Sequence, residues 1–543
     1  MSHRRSGETT PTTLIRSPPR SDVYAAWSTR DMSTFTLTPA SLMSCTRLLA
    51  THCTTPTTTS RCWAAAGSAA TTAATTSVSA RWCLAERRTA ERITALSYAD
   101  MTRDELKQRL FAAIDRRGEA IVAIGESIRR HPELGFKEER TARLVDETLR
   151  GLGVGTRTGL AFTGVRGELP GRRGGGPTFA LLGELDGLVV TGHPEADPTT
   201  GAAHACGHNA QIAGLLGAAM GLVDTDAMAH LAGRVVLFAV PAEEGGDLEW
   251  RVGRRAAGAL ELLGGKQELL RLGHFDDVDL AMMIHTTSRR EDGKAGVPLS
   301  NNGRVGKTVR YVGRAAHAGG APHRGVNALY AAHLGLMAIN AVRETFRDDD
   351  TIRVHPILTH GGSQVNVIPG EARLETYVRG RTLEGVLDAN AKVDRALRAG
   401  ALALGARVEI ETLPGYLPLR CDPTMARYFR ASAEGLVGAE HYREIGHRTA
   451  STDMGDLSQV MPVLHPYMGG AAGTGHAADY AIVDPALAYV APAKALAAMV
   501  VDMLWGDAGG AREVLAHAAP GLSRERYLAL HRGIARREVY EGV

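Results

Sequence analysis

Apolar and polar positions follow two different periods along the chain from Met101 onward. The stretch MTRDELKQRLFAAIDRRGEAIVAIGESIRRHPELGF (101–136) repeats its apolar residues at helical spacing. Short, uninterrupted apolar runs come next and are typical of buried strands. They are TFALLGELDGL (178–188), GRVVLFAVPAEE (233–244) and VDLAMMIHT (278–286).

Helical segments separate these runs, namely NAQIAGLLGAAMGLV (209–223) and WRVGRRAAGALELLGGKQELLRLG (250–273). Strands that alternate with helices predict an α/β fold with a doubly wound, mostly parallel sheet and helices on both faces. We therefore expect the functional site beyond the carboxyl ends of the strands.

The order of elements changes between about 300 and 414. The pattern there predicts a strand, a helix, two strands, a helix and a strand. They are GKTVRYVGR, GVNALYAAHLGLMAINAVRETF, TIRVHPILTH, EARLETYVRG, TLEGVLDANAKVDRALRAGALALG and ARVEIETL. This β-α-β-β-α-β order is ferredoxin-like. It predicts a separate, smaller α+β domain inserted into the larger one.

Residues 1–99 are rich in Thr, Ser, Ala and Arg and show no sustained apolar period, which predicts a disordered, low-complexity extension. Two interpretations are open: an organelle transit peptide, or an upstream extension that the working protein lacks, with Met101 as its start. The remaining boundaries predict a catalytic domain in two parts, 100–299 and 415–507, around the inserted domain at 300–414, and a polar, partly helical tail at 508–543.

Composition narrows the functional classes. The formal net charge is +3, but residues 1–99 hold eleven Arg, no Lys and five acidic residues, so the basic character belongs to this extension. The rest of the chain predicts neither a nucleic-acid surface nor a membrane span, because no stretch of about 18 uncharged apolar residues occurs. Four of the six cysteines lie in the first 83 residues. A disulfide framework is therefore not expected, which favours the cytoplasm.

Hydrolysis of an unactivated amide needs a polarised carbonyl and an activated water, and a divalent metal supplies both. Candidate ligands follow apolar runs or glycine-rich turns. They are Cys206 and His208 in HACGHN, Glu244 in PAEE, His285 in AMMIH and His476 in GTGH. Each residue alone is more often structural, but five together at predicted strand ends indicate a metal site. Zn suits the thiolate, and Mn or Co also fits such a mixed set.

Two further carboxylates accompany these ligands. Glu243 and Glu244 are adjacent, so one can bind the ion while the other faces the water. Glu243 is then the expected general base, which passes the proton to the leaving amine. The alternative for this pair is a solvated acidic strand end. Asp186 either orients a ligand histidine or caps the turn that follows it.

These motifs together resemble the aminoacylase and carboxypeptidase-G-like family of metal-dependent amidohydrolases, with the aminobenzoyl-glutamate hydrolase and aminoacyl-dipeptidase branch the most similar. The resemblance covers about 105–505. Its motifs are RRHPELGFKEERTARLV, GELDGL, HACGHN, VPAEEGG, MMIH, GRAAHAGGAPHRGVNAL, NVIPGEARLETYVRG and STDMGDLSQVMP before GTGHAADY. Glu184 and Asn209 differ from many family members but occur in this branch.

The resemblance implies one or two divalent ions in a catalytic domain that is interrupted by a lid and dimerisation domain. The positions of the five candidate ligands bind metal in the family, and the position of Glu243 is its base. His317 matches a lid histidine that stabilises the oxyanion in the partner subunit. Asn366 and Arg379 match lid residues that contact the substrate, the arginine usually through a carboxylate.

The expected function is metal-dependent hydrolysis of an amide bond in a small, anionic N-acyl or N-aroyl amino acid or a dipeptide-like compound. One alternative is hydrolytic deamination of a substituted aminobenzoate at the same site. Another is a non-catalytic small-molecule binder. The expected assembly is a homodimer through the lid domain.

Overall fold

The computed structural model describes residues 101–519 and 521–542; the predicted disordered extension at 1–99 lies outside them. The helices are α1 (Arg103–Arg116), α2 (Gly118–Arg129), α3 (Glu139–Gly151), α4 (His208–Asp224), α5 (Leu248–Ala256), α6 (Gly265–Arg271), α7 (Ala328–Val342), α8 (Leu383–Leu404), α9 (Pro423–Val437), α10 (Met454–Leu457), α11 (Ala491–Leu504), α12 (Gly509–His517) and α13 (Arg524–Ile534).

The strands of the first half are β1 (Thr156–Leu160), β2 (Gly164–Pro170), β3 (Thr178–Glu184), β4 (Leu188–Val189), β5 (Ala202–Ala203), β6 (Arg234–Val240), β7 (Leu280–Met282), β8 (His285–Thr286), β9 (Ala295–Asn301) and β10 (Gly303–Val312). Those of the second half are β11 (Arg353–Val354), β12 (Ile357–His360), β13 (Glu371–Gly380), β14 (Arg407–Pro414), β15 (Leu419–Arg420), β16 (Tyr442–Arg448), β17 (Val463–Leu464), β18 (Tyr467–Met468), β19 (Ala471–Ala472), β20 (Ala481–Ile482) and β21 (Arg536–Glu541).

The main sheet has the strand order β1-β2-β6-β3-β7-β17, and its last four strands in this order, β6, β3, β7 and β17, run parallel. Successive residues of β3 enter different cores. Phe179 and Leu181 pack on one face of the sheet, and Ala180 and Leu182 on the other. Burial on both faces explains why this strand reads as a continuous apolar run. The chain is therefore a mixed α/β fold with a parallel sheet and helices, as the sequence predicts.

Helix α4 lies against this sheet and positions the motif HACGHN. It spans the predicted helix 209–223, and fifteen of its seventeen residues are buried. A helix buried on nearly all sides carries no polar face, which fits its contacts with both β3 and α11. Because α4 begins at His208, its packing fixes the position of that side chain.

The single helix predicted at 250–273 is wrong. The structure has α5 and α6 instead, with the chain between them leaving the helical path at Gly258, whose φ is +73°. A left-handed residue ends a helix, and the apolar spacing on either side concealed this stop. The predicted strand 278–286 is likewise divided into β7 in the main sheet and β8 in another.

The second sheet, which we call the lid sheet, has the order β11-β13-β10-β14-β21, with β12 also paired to β13. All of these pairs are antiparallel. Helices α7 and α8 pack on one another and on this sheet, and Tyr311 of β10 donates a hydrogen bond to the Leu397 carbonyl at 2.8 Å. The strands and helices predicted between 300 and 414 occur in the predicted order, with TIRVHPILTH divided into β11 and β12.

The predicted polar tail at 508–543 is tied into the fold. It forms α12, α13 and β21, and β21 pairs with β14 from Arg407↔Glu541 to Thr412↔Arg536. Tyr527 and His531 of α13 are fully buried, and each lies 3.0 Å from Asp456 Oδ1. Strand β21 is thus an edge strand of the lid sheet.

One helical stretch among the described residues, Ala486–Leu504, is long and apolar enough to cross a membrane by length and composition, with a mean hydropathy of 1.6. Within this structure 78% of that window is buried. Its contacts with α4 explain its apolar character as that of a core helix.

Candidate metal centre and substrate cavity

The structure brings all five predicted ligands together. Cys206 Sγ lies 3.4 Å from the Nε2 atoms of His285 and His476. His476 Nε2 lies 3.2 Å from Glu244 Oε1. The ligand atoms form two triads, each with its atoms within 4.8 Å of one another, and both triads contain Cys206. They are Cys206–His208–His285 and Cys206–Glu244–His476.

Turns at the ends of strands and helices place these side chains. Gly207 precedes α4 with a φ of +85°, and a Cβ there would lie 2.6 Å from Tyr480 Oη, so only glycine fits between Cys206 and His208. Ala242 and His476 also have positive φ, of 53° and 65°. Such strained conformations at non-glycine residues are typical of functional sites.

Hydrogen bonds set the ligand histidines in the form that binds metal. His208 Nδ1 lies 2.8 Å from the Asp186 carbonyl oxygen, and His285 Nδ1 lies 2.7 Å from the Thr286 carbonyl oxygen. A carbonyl only accepts, so each Nδ1 carries the proton and donates it. Each Nε2 is then free to bind a cation, which is the usual arrangement of metal-bound histidine.

The remaining polar atoms fit a divalent ion. His208 Nε2 and Glu244 Oε1 are buried, and each lies beside another side chain that can bind metal: Glu184 Oε2 is 2.9 Å from His208 Nε2, and His476 Nε2 is 3.2 Å from Glu244 Oε1. Such a convergence of ligand atoms fits a bound cation. Burial and Glu244 oppose ionisation of Cys206, but the imidazoles of His285 and His208 outweigh them and lower the pKa of the thiol to about 6. Thiolate, imidazole and carboxylate together suit Zn and related divalent ions.

Asp186 contacts residues of both triads. Its Oδ2 accepts a hydrogen bond from the Glu244 backbone N–H at 2.9 Å, and its Oδ1 lies 3.2 Å from His208 Nδ1. Because Asp186 is fully buried, these contacts hold both ligands in a fixed orientation. These contacts are compatible with the predicted orienting role of Asp186, which stays a prediction.

Glu243 lies beside the ligands with a second carboxylate, Glu184. An atom of each falls within 4.8 Å of a ring nitrogen of His208. Burial, together with the nearby charges of Glu184 and Glu244, raises the pKa of Glu243 well above its usual value. A carboxyl group in such surroundings readily takes up a proton. The side chain of the neighbouring Asn209 does not belong to this group. Its Nδ2 donates a hydrogen bond to the backbone carbonyl of Gly125 in α2, at 3.2 Å.

A buried lysine, Lys266, forms ion pairs with Glu184 and with another buried carboxylate. Lys266 Nζ lies 2.5 Å from both Glu184 Oε1 and Asp453 Oδ1, and all three side chains are at most 1% exposed. Gln211 Nε2 also donates to Glu184, at 2.8 Å. Neither Lys266 nor Asp453 was predicted from the sequence. No local pattern marks them, because their partners are 82 and 187 residues apart in sequence.

The ligands open into a cavity of about 990 Å³. Arg379 lines this cavity, and its contact with substrate stays a prediction. His465 also lines it and was not predicted. Burial, and then His285, lowers the pKa of His465 to about 3, so its imidazole is neutral, and neither ring nitrogen makes a hydrogen bond within the described residues.

His317 and Asn366 lie apart from the cavity. Both are exposed, on neighbouring loops of the lid region, where the Ala318 N–H donates to the Asn366 carbonyl at 2.9 Å. Neither residue lines the cavity of its own chain. A single chain therefore brings together the ligands, Glu243, Asp186 and Arg379, but not these two.

Comparison with known proteins decides the family. Residues 180–501 match the model of peptidase family M20/M25/M40. The chain belongs to this family. The M20/M25/M40 assignment confirms the resemblance to metal-dependent amidohydrolases, and the protein is a hydrolytic enzyme that acts on C–N bonds.

Individual relatives agree. The chain is 30% identical to the Xaa-Arg dipeptidase of Mus musculus over 426 residues, 74% of this chain and 90% of that protein. A dinuclear metal-binding peptidase of the M20 family from Bacillus subtilis shares its fold, with a TM-score of 0.54, 21% identity, and coverage of 71% of this chain and 98% of that one. An aminobenzoyl-glutamate utilization protein from Klebsiella pneumoniae has a TM-score of 0.54, 20% identity, and coverage of 72% and 97%.

Proposed function

We propose that this M20-family enzyme hydrolyses the amide bond of a small, anionic N-acyl or N-aroyl amino acid or dipeptide-like compound. One observation carries the proposal: two ligand triads share Cys206 Sγ, and Glu243 lies beside them in a single large cavity. Because each triad can hold one ion and both contain Cys206, the arrangement favours two metal ions that share this thiolate. The names of the related dipeptidase and aminobenzoyl-glutamate protein agree with an amide of an amino acid.

In this proposal the chain's residues divide the work. The five ligands hold the metal, which when bound polarises a carbonyl and activates water. Glu243 takes a proton from the attacking water on its carboxylate and delivers it to the leaving nitrogen. Asp186 keeps His208 and Glu244 in place. Arg379 binds a carboxylate of the substrate through its planar fork.

A substrate panel tests this function. Enzyme purified without chelator and supplied with Mn or Zn is incubated with N-acyl amino acids, aminobenzoyl-glutamate, β-alanyl dipeptides and substituted aminobenzoates, and the products are separated. Release of a free amino acid is the expected result. Release of ammonia from an aminobenzoate would instead support the deaminase alternative. Metal-loaded protein that binds members of the panel but turns over none would be a binder.

We also propose that the enzyme is a homodimer through the lid domain. Helix α7 exposes a stripe of apolar residues four and three positions apart, Tyr330, Leu334 and Met337, with exposed fractions of 62%, 39% and 55%. Beside it, the edge strand β12 exposes Ile357. Unpartnered apolar faces and strand edges favour association. In such a dimer His317 and Asn366 would reach the cavity of the partner subunit.

Mixed dimers test that arrangement. We expect His317→Gln and Glu243→Gln protomers to be nearly inactive alone, because each lacks a residue of every site. After unfolding and refolding together, half of the dimers are mixed and each has one intact site, so activity should recover to about a quarter of the wild-type value. Absence of recovery, in a mixture shown to be dimeric by sedimentation, would contradict a shared site.

The proposed metal is Zn or Mn, with Co as a further option, and the proposed location is the cytoplasm. A thiolate ligand suits Zn, while carboxylate and imidazole ligands also accept Mn. A reducing compartment keeps the Cys206 thiol available for metal. Elemental analysis of the native protein gives the metal and its stoichiometry, and cell fractionation gives the location.

A further inference from the structure

Three arginines stand side by side on the lid sheet where it faces the cavity. Arg379 of β13 is directly opposite Arg304 of β10 and, on its other side, directly opposite Arg353 of β11. Directly paired residues share one face of a sheet, and all three line the cavity. Like charges in this position destabilise a sheet. We call these three residues the arginine row. Because the row does not stabilise the fold, we expect it to serve in the binding of a ligand.

The described chain supplies no counter-ion for the arginine row. None of the three guanidinium groups lies within 4.0 Å of an Asp or Glu oxygen in the described residues, although many other arginines of the protein form such pairs. The carboxylates of the cavity have other partners. Glu243 and Glu244 belong to the proposed metal centre, and Asp247 lies 2.5 Å from Lys137 Nζ.

Arg304 lines the cavity and is held in place by two tyrosine rings. Its guanidinium carbon lies 4.3 Å and 4.0 Å from the ring centres of Tyr377 and Tyr416, and the residue is 9% exposed. The two tyrosine hydroxyls donate to the carbonyls of Gly245, at 3.1 Å, and Glu243. A Cβ at Gly245 would lie 2.9 Å from Arg304 Nη2, so glycine allows this close approach.

Arg379 lies next to Arg304, and a hydrogen bond holds its guanidinium group. Its Nη1 donates to Ser451 Oγ at 3.0 Å. Burial, and then the charge of Arg304, lowers the pKa of Arg379 to about 10. Arg353 is exposed and lies at the rim of the cavity. The row thus runs from the rim to a buried, preorganised guanidinium beside the segment that carries Glu243.

We propose that the arginine row binds two carboxylates of one substrate, so that the enzyme prefers amides whose leaving amino acid is acidic, namely glutamate or aspartate. This inference rests on the proposed amide hydrolysis. Arg379, in the middle of the row, binds the α-carboxylate together with its neighbour Arg304, and Arg353 at the rim binds the side-chain carboxylate. Guanidinium forks match carboxylates in a bidentate manner, and an anionic ligand relieves the repulsion within the row. A cationic leaving group would increase that repulsion.

Matched substrates isolate the second carboxylate. N-benzoyl-glutamate, N-benzoyl-glutamine and N-benzoyl-arginine share one acyl group and differ in side-chain charge. With metal-loaded enzyme we expect kcat/KM for the glutamate conjugate to exceed that for the glutamine conjugate by at least about tenfold, the value of a charged hydrogen bond. The arginine conjugate should be the poorest substrate.

Two variants test whether the arginine row causes the preference for the glutamate conjugate. Arg353→Gln should lower the glutamate-to-glutamine ratio of kcat/KM about tenfold, mainly through KM, whereas Arg304→Gln should lower kcat/KM for both conjugates to a similar extent. Arg353 is exposed, so its replacement leaves the fold intact even if the buried Arg304 variant is unstable. Arg373→Gln is the control. Arg373 is an exposed arginine of the same strand, β13, that bonds to Glu371 at 2.7 Å and does not line the cavity, so the ratio should not change.

The outcomes separate the two proposals. Preference of the wild type for the glutamine or arginine conjugate, or a ratio unaffected in Arg353→Gln, would overturn the arginine row while amide hydrolysis stands. If no benzoyl conjugate is cleaved, calorimetric titration of the enzyme with free glutamate and with free glutamine still tests whether the arginine row binds a second carboxylate. Tighter binding of glutamate by at least about tenfold, lost in Arg353→Gln, supports the row, and equal binding refutes it.

Discussion

Replacement of Glu243 by glutamine is expected to lower kcat for the best amide substrate by about 10²–10⁴-fold, the range of general-base catalysis. Glutamine keeps the shape of the side chain but cannot accept a proton at neutral pH. Glu243 lies in a group with Glu184 and His208 but in neither of the two triads that contain Cys206, so the metal content should stay the same. Steady-state kinetics and elemental analysis of the same preparation measure the two effects.

Glu249→Gln is a matched control for this variant. Glu249 is exposed and lies six residues further along the chain, outside the residues that line the cavity. Its replacement should leave kcat and metal content as in the wild type. A Glu243→Gln enzyme with wild-type turnover would show that another group accepts the proton. Loss of metal in that variant would show that Glu243 binds the ion instead.

Replacement of Cys206 by alanine is expected to remove most of the bound metal and, with it, the hydrolytic activity. Cys206 is the residue common to both triads, so each loses one of its three ligands. Even residues that only orient metal ligands contribute about 10–100-fold to metal affinity. We therefore expect the metal dissociation constant to rise by more than about 100-fold. Competition with a chromophoric chelator measures it.

Cys421→Ala controls for the loss of a buried thiol. Cys421 is the other cysteine of the described chain, and burial raises the pKa of its thiol to about 12. It belongs to neither triad, so this variant should keep its metal. If Cys206→Ala retains the wild-type stoichiometry and affinity, the shared-thiolate arrangement is wrong.

The convergence of the five candidate ligands was predictable because each of them follows a local signal in the sequence. Glu244 and His285 come soon after the buried strands β6 and β7, and Cys206 and His208 lie where α4 begins. The carboxyl ends of parallel strands meet at one edge of a sheet, so strand order alone brings such residues together. Sequence pattern therefore predicts a site whose members all occupy the ends of regular elements.

Lys266 and Arg304 had no such signal. The role of Lys266 depends on carboxylates far away in the chain, and a buried lysine is stable only when such partners are present. The role of Arg304 depends on the register between β10 and β13, and a shift of one residue would turn the side chain to the opposite face. Neither long-range pairing nor register appears in a local pattern of apolar and polar residues.

The fold was predictable to a similar degree. Fully buried strands such as β3 show long apolar runs, and the amphipathic strand β13 was predicted with its bounds, 371–380. The break between α5 and α6 was missed because helical spacing continues across it. The pairing of β21 was also missed, since its sequence, RREVYE, is polar and its exposed edge position requires few apolar residues.

The pairing of β21 with β14 bears on how the protein is made. A ribosome delivers the chain from its amino end, so β10, β13 and β14 are synthesised well over a hundred residues before the strand that borders them. Until β21 emerges, β14 offers an open backbone edge to any neighbouring nascent chain. The lid sheet is thus completed only after β21 has been synthesised, long after its other strands.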